Sequence, residues 1–157
     1  MQNNNKIFMQ KAIDLSIESV KNGGGPFGAV IVKNGEIIAE ASNSVTQTND
    51  PTAHAEVNAI RKATSKLKNF NLAECEIYSS CEPCPMCLGA IYWAGIEKLY
   101  FANNKTDAKN IGFDDSFIYE EIATPYAQRK VITEQMMRPE ALKAFQLWDE
   151  KDDKIEY

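Results

Sequence analysis

All four cysteines of this 157-residue chain, at positions 75, 81, 84 and 87, fall within thirteen consecutive positions. Such a cluster cannot staple distant segments together as the disulfides of small secreted domains do. It gives one short stretch, Cys81-Glu82-Pro83-Cys84-Pro85-Met86-Cys87, a local task of metal binding or thiol chemistry. The rest of the chain must build a core without covalent help, and it is long enough: area scaling buries about 70% of the surface that such a chain exposes unfolded. Apolar residues at 44% and charged residues at 25% belong to an ordinary globular domain. A net charge of −5 argues against a general binder of nucleic acid or anionic membrane. No run approaches the roughly 20 apolar residues needed to span a bilayer. The polar start Met1-Gln2-Asn3-Asn4-Asn5-Lys6 lacks the apolar core of a secretory signal, so a cytoplasmic location is expected.

Helices and strands alternate along the chain. Apolar side chains at Phe8, Ala12, Leu15 and at Met9, Ile13, Ile17, Val20 make a helical stripe over 7–21, which Asn22-Gly23-Gly24-Gly25-Pro26 ends. Two apolar runs, 29–32 and 36–40, flank Asn34-Gly35, the dipeptide that best supplies a two-residue hairpin turn. Residues 42–52 read as a loop and 54–67 as a helix with Thr52 at its N-cap. Short strands follow at 76–79 and 98–102, with a helix at 85–94 that is apolar nearly all round and therefore expected to be buried. The pattern blurs over 103–135, and 139–150 forms a last helix. This order predicts a single α/β sandwich domain.

The chemistry sits in His54-Ala55-Glu56 and in the cysteine segment. Cys84 and Cys87 are three apart, so at a helix start both sulfurs share a face. A helix N-terminus favours the thiolate, and Pro85 is tolerated in the first turn because its missing N–H is not needed there. With His54, the chain's one histidine, they make three zinc ligands, the number that leaves a fourth position open to water. Glu56 shares no helical face with His54 and reaches the metal's water only from a first helical turn. Zinc can bring bound water from a pKa of about 15.7 to about 7. Two thiolates blunt that effect, which makes a neighbouring carboxylate base valuable. The alternatives are a core histidine beside a structural or redox Cys-x-x-Cys pair, and a closed Cys₃His site in which Cys81 is the fourth ligand. The strand-end position of Cys81 lies off the face shared by Cys84 and Cys87.

The His-Ala-Glu and Pro-Cys-x-x-Cys pair is the signature of zinc nucleobase deaminases. With Gly25-Pro26-Phe27-Gly28-Ala29-Val30-Ile31-Val32, Asn49-Asp50-Pro51-Thr52-Ala53-His54-Ala55-Glu56, the run 80–94, Gly112-Phe113-Asp114-Asp115-Ser116-Phe117 and the ending Glu156-Tyr157, the chain resembles the cytidine deaminase superfamily and, within it, the guanine deaminases. The resemblance implies a three-layer α-β-α sandwich around a five-stranded mixed sheet. It further implies a homodimer whose C-terminal segments, about 119–157, are exchanged, and one Zn²⁺ per chain on His54, Cys84 and Cys87. The implied reaction is hydrolysis of guanine to xanthine and ammonia by zinc-activated water at C2, with Glu56 as proton shuttle. Asp115 becomes a substrate-facing catalytic carboxylate. Asn43 and the Ala55 backbone hold the purine, Phe27 and Trp93 wall it, Asp114 adjoins it, and Tyr157 closes over the partner's site. Neither a nucleic-acid nor a membrane partner is expected.

Each implied role has a plainer counterpart: a turn for Asn43, core packing for Phe27 and Trp93, a solvated pair or helix cap for Asp114 and Asp115, a buried thiol for Cys75. The alternative functions are a tRNA adenosine deaminase, a cytosine, cytidine or guanosine deaminase, and a structural zinc module without catalysis. The acidic tail weighs against the first, and Glu56 against the last.

Overall fold

The computed structural model describes residues 2–157, in two compact units that meet between Ser116 and Phe117. The first runs α1 (Gln2–Lys21), β1 (Gly28–Lys33), β2 (Glu36–Ser42), α2 (Val45–Thr48), α3 (Ala55–Leu67), β3 (Cys75–Cys81), α4 (Pro85–Trp93), β4 (Lys98–Asn103) and α5 (Lys105–Asn110). The sheet order is β2-β1-β3-β4, with β1 antiparallel to both neighbours and β3 parallel to β4. Asn34 and Gly35 both hold positive φ, as the tight hairpin turn requires.

Strand alternation divides the core into two. Val30, Val32 and Tyr78 face α1 through Phe8 and Ala12. Ala29, Ile31 and Ile77 face the other way, onto Ala55, Ala59 and Ala63 of α3 and Ile91 of α4. The layers are therefore α1, sheet, and α3 with α4. Edge strand β2 does not expose its outward carbonyls: Lys62 donates to Glu40 O at 2.9 Å and Lys66, one turn on, to Ile38 O at 3.1 Å. No described helix is long and apolar enough to cross a membrane.

Four expectations need correction. The sheet has four strands among the described residues, not five. After β4 a capping box of Asn104 and Asp107 starts α5, and the β-prone run Val131-Ile132-Thr133 is irregular. The loop over 42–52 contains the helical turn α2. The N-cap of α3 is His54, not Thr52, because the Asp50 carboxylate takes both the backbone N–H and the hydroxyl of Thr52 in a turn of its own. Finally, α4 is only half buried. Cys87 and Ile91 face inward, but Tyr92 and Trp93 are 76% and 71% exposed. A helix lying on a sheet buries only the side that faces it.

The second unit, Phe117–Tyr157, holds most of α6 (Ser116–Ala123), a 3₁₀ turn at Tyr126–Gln128 and α7 (Arg138–Asp149). Arg129 ties the turn to α6 through the carbonyls of Thr124 and Ile122 and lies over the Tyr126 ring. Phe145, Leu147 and Trp148 of α7 stand on its surface.

Gly28 lets α1 approach the sheet: a Cβ there would strike the Ala12 carbonyl and lie 2.7 Å from the Ser16 nitrogen. Gly28→Ala is expected to destabilise the protein by about 1–3 kcal/mol, read as a lower urea midpoint. An unchanged midpoint would mean that α1 can retreat freely.

Candidate metal centre

α3 and α4 start side by side, and each offers its cap residue. His54 is extended at the N-cap of α3 and Cys84 is extended at the N-cap of α4, so neither side chain runs back along its helix. Pro85 occupies the first helical position and Cys87 the first turn. His54 Nδ1 lies 3.5 Å from Cys84 Sγ and 3.5 Å from Cys87 Sγ. Tetrahedral zinc with ordinary Zn–N and Zn–S bonds sets nitrogen and sulfur about 3.5 Å apart. The donor set therefore fits zinc in number, chemistry and spacing. Among the described residues these three form the one group able to hold a metal ion.

The loop before His54 is fastened from inside. Asn58 Nδ2 reaches the Ser42 carbonyl at 3.0 Å, Ser44 Oγ at 3.0 Å and the Ala53 carbonyl at 3.2 Å, while the Asn58 backbone N–H bonds the His54 carbonyl. Asn43, buried, accepts from the Val45 N–H at its Oδ1. A Cβ at Gly25 would lie 3.2 Å from that same oxygen, so glycine leaves room for the Asn43 side chain.

Glu56 is only 5% exposed and accepts the Ser79 hydroxyl at 2.8 Å. Burial raises its pKa, against its own backbone N–H and the Ser79 hydroxyl, which lower it. Cys84 is pushed down to about 4, first because the Cys87 thiol donates to it and then because the His54 ring faces it. Cys87 correspondingly moves up as the donor of the pair. The bond to Cys84 raises His54. Cys84 is thus the ready thiolate of the three.

Residues 2–103 match the cytidine and deoxycytidylate deaminase zinc-binding region. The chain belongs to this deaminase family. It is 54% identical to a guanine deaminase of Bacillus subtilis (strain 168) over 155 residues, 98% of this chain and 99% of that one. The X-ray structure of guanine deaminase from Bacillus subtilis superposes with a TM-score of 0.94 over 97% of this chain and 98% of that chain, at 54% identity. Guanine deaminase from Nitrosomonas europaea follows at 34% identity and a TM-score of 0.66, over 69% of this chain and 63% of that one. A tRNA-specific adenosine deaminase of Aquifex aeolicus (strain VF5) is 44% identical over 95 residues, 60% of this chain and 63% of the relative.

Within this deaminase fold the other expected site residues divide. Ala55 is buried at the first turn of α3, beside Glu56. Phe27 packs against the α3 side of the core and meets Phe113 edge-on, centroids 5.0 Å apart. Asp115 is half-buried and raised by desolvation, with Cys84 adding to the shift. Asp114 is exposed and already engaged: it pairs with Lys109 at 3.1 Å, takes the Ser116 N–H and hydroxyl, and sits at about 2. Trp93 ends α4, about 12 Å along the axis from the start of that helix. Tyr157 lies in the second unit. Cys81 points to the Asn104 carbonyl at 3.8 Å, outside the ligand group, and burial lifts it to about 11.

Sequence reasoning missed Asn58 and Ser79. Asn58 leaves no signal beyond its place one turn after His54. Ser79 does leave one, because Cys75, Ile77, Ser79 and Cys81 alternate along β3 and Ser79 is the hydroxyl among them.

Two results are expected. Cys81→Ser should keep one zinc per chain by metal analysis, and loss of metal there would restore the four-ligand reading. After chelation, mass spectrometry of briefly alkylated protein should find Cys84 labelled ahead of Cys75, Cys81 and Cys87. Preferential labelling of Cys87 would reverse the assignment of the thiolate.

Proposed function

We propose that this protein is a guanine deaminase, converting guanine and water to xanthine and ammonia. The observation that carries this reading is the 54% identity to a guanine deaminase along 98% of the chain, through the second unit as well as the metal centre. His54, Cys84 and Cys87 would hold the zinc, which would supply a Lewis acid able to lower the pKa of the attacking water. Glu56 takes the proton of that water and passes it to a ring nitrogen as oxygen bonds to C2. The remaining hydroxyl proton is then carried by Glu56 to the 2-amino group, so that the C2–N bond breaks, ammonia leaves and the C2 carbonyl forms. Desolvation holds the Glu56 pKa above that of an ordinary carboxylate, which suits a group that must both accept and return a proton near neutrality.

Recognition follows from the hydrogen-bond pattern of the base. Guanine presents N1–H and the 2-amino group as donors, and Asp115 is the acceptor proposed to meet them. Asn43, braced through its Oδ1, offers its amide N–H groups to a purine acceptor, with the Ala55 backbone beside it. Phe27 and Trp93 are proposed as apolar walls, Asp114 as the brace of the Asp115 loop, and Tyr157 as the cover of a partner's site. A homodimer of single-domain chains exchanging residues 119–157 accounts for two exposed apolar surfaces, Met86, Tyr92 and Trp93 on α4 and Phe145, Leu147 and Trp148 on α7. Four free cysteines suit a reducing, cytoplasmic setting.

Ammonia release from guanine, cytosine, cytidine, adenine and a tRNA anticodon stem-loop tests the assignment. Guanine should be turned over fastest, and preference for the stem-loop would replace this reading with tRNA editing. Glu56→Gln should keep its zinc while kcat falls about 10²–10⁴-fold. Full activity with metal retained would remove Glu56 as the proton carrier. Deleting the last few residues should slow guanine turnover with zinc still bound, and an unchanged rate would dismiss Tyr157 as a cover.

A further inference from the structure

The geometry points to Ser79 as a positioning residue for the reaction: its hydroxyl anchors one oxygen of Glu56, so that the other is presented to the reacting atoms. This rests on the reading of Glu56 as proton carrier.

The two residues come from elements that can scarcely shift. Ser79 lies inside β3, paired with Ala29 of β1 on one side and Phe101 of β4 on the other. It points to the same face as Ile77, toward α3 and α4, and is 1% exposed. Glu56 sits in the first turn of α3, whose start is fixed by the His54 cap and the Asn58 clamp. The 2.8 Å bond from Ser79 Oγ to Glu56 Oε1 joins the sheet to the helix at the carboxylate itself.

A glutamate has three rotatable side-chain bonds, and a carboxylate serving both water and a ring nitrogen must present one oxygen to each in turn. Fixing Oε1 leaves Oε2 as the working oxygen and limits rotation about the last bond. Small losses of alignment at such a group are expensive in rate. The Cys87 thiol also faces Glu56. As a ligand sulfur, however, it gives up its proton on coordination, whereas the Ser79 hydroxyl keeps its proton whether or not metal is bound. Packing alone gives no reason for a serine here, since a buried strand interior favours β-branched or aromatic side chains.

The test compares Ser79→Ala, Ser79→Thr and wild type as full-length, zinc-loaded protein. It measures kcat and KM for guanine, zinc per chain and the melting temperature. Ser79→Ala is expected to lose about 10- to 100-fold in kcat, the usual range for outer hydrogen bonds that orient a catalytic site. KM should stay within about threefold, with one zinc retained. Ser79→Thr, which keeps a β-hydroxyl, should recover most of the rate. In a Glu56→Gln background Ser79→Ala should cause little further loss, because the two act as a unit. An alanine variant with near-wild-type kcat overturns the proposal. So does a folded threonine variant as slow as alanine, or an alanine variant whose zinc or fold is lost, which would mark a structural role. Should Glu56→Gln itself retain full turnover, the reading of Glu56 fails instead, whatever Ser79→Ala shows.

Discussion

The arrangement depends on a convergence across thirty residues of chain: one imidazole nitrogen 3.5 Å from each of two sulfurs, each atom delivered by the start of a helix. A helix start is only as fixed as the segment that feeds it. β3 feeds α4 through Glu82 and Pro83, and the Glu82 N–H holds the Asn103 carbonyl at the end of β4. The loop that feeds α3 is fixed by three bonds from Asn58, a residue of α3 itself, so the helix fastens its own entry. Two helix N-termini facing one point also concentrate positive partial charge where the thiolates form.

Placing a carboxylate behind those ligands is electrostatically unfavourable on its face, since desolvation and a neighbouring thiolate both favour its proton. The fold tolerates Glu56 because every opposing donor comes from backbone or from rigid side chains. The sheet supplies Ser79 and the helix start supplies its own amide. The result is a buried acid whose orientation is held by short-range bonds. Such a group can change protonation state without dragging a salt-bridge partner with it.

What the sequence revealed and what it hid follow a physical division. Asn34-Gly35 and the His-Ala-Glu and Cys-x-x-Cys segments were legible because local geometry dictates those residue types: positive φ at a turn, two sulfurs on a first helical turn, a cap whose side chain is free to ligate. The α3 cap was misassigned because Thr52 and His54 are both plausible starts. Only the folded loop shows Asp50 capturing the threonine. The exposed side of α4 was hidden because apolarity all round reads the same whether a helix is buried in its own chain or waits for another. The bond from Ser79 to Glu56 spans twenty-three positions and needs the register of β3 against α3. No local pattern contains it.

Metal ligands alone do not choose a substrate, since this chain also shares substantial identity with a tRNA-specific adenosine deaminase over 60% of its length. The family region ends at Asn103, so features after β4 are the natural place for discrimination. There the structure treats two adjacent acids oppositely. Asp114 is exposed, bonded to Ser116 and paired with Lys109, and stays ionised far below neutrality. Asp115, one residue on, is half-buried and pushed up by desolvation near the metal ligands. The Asp114 charge adds to that upward shift, while its own hydrogen bonds and ion pair stay within the loop. On the proposed reading of Asp115 as the substrate's acceptor, a carboxylate there would repel the phosphates of a nucleic acid and accept from the N–H donors on the edge of a small neutral base.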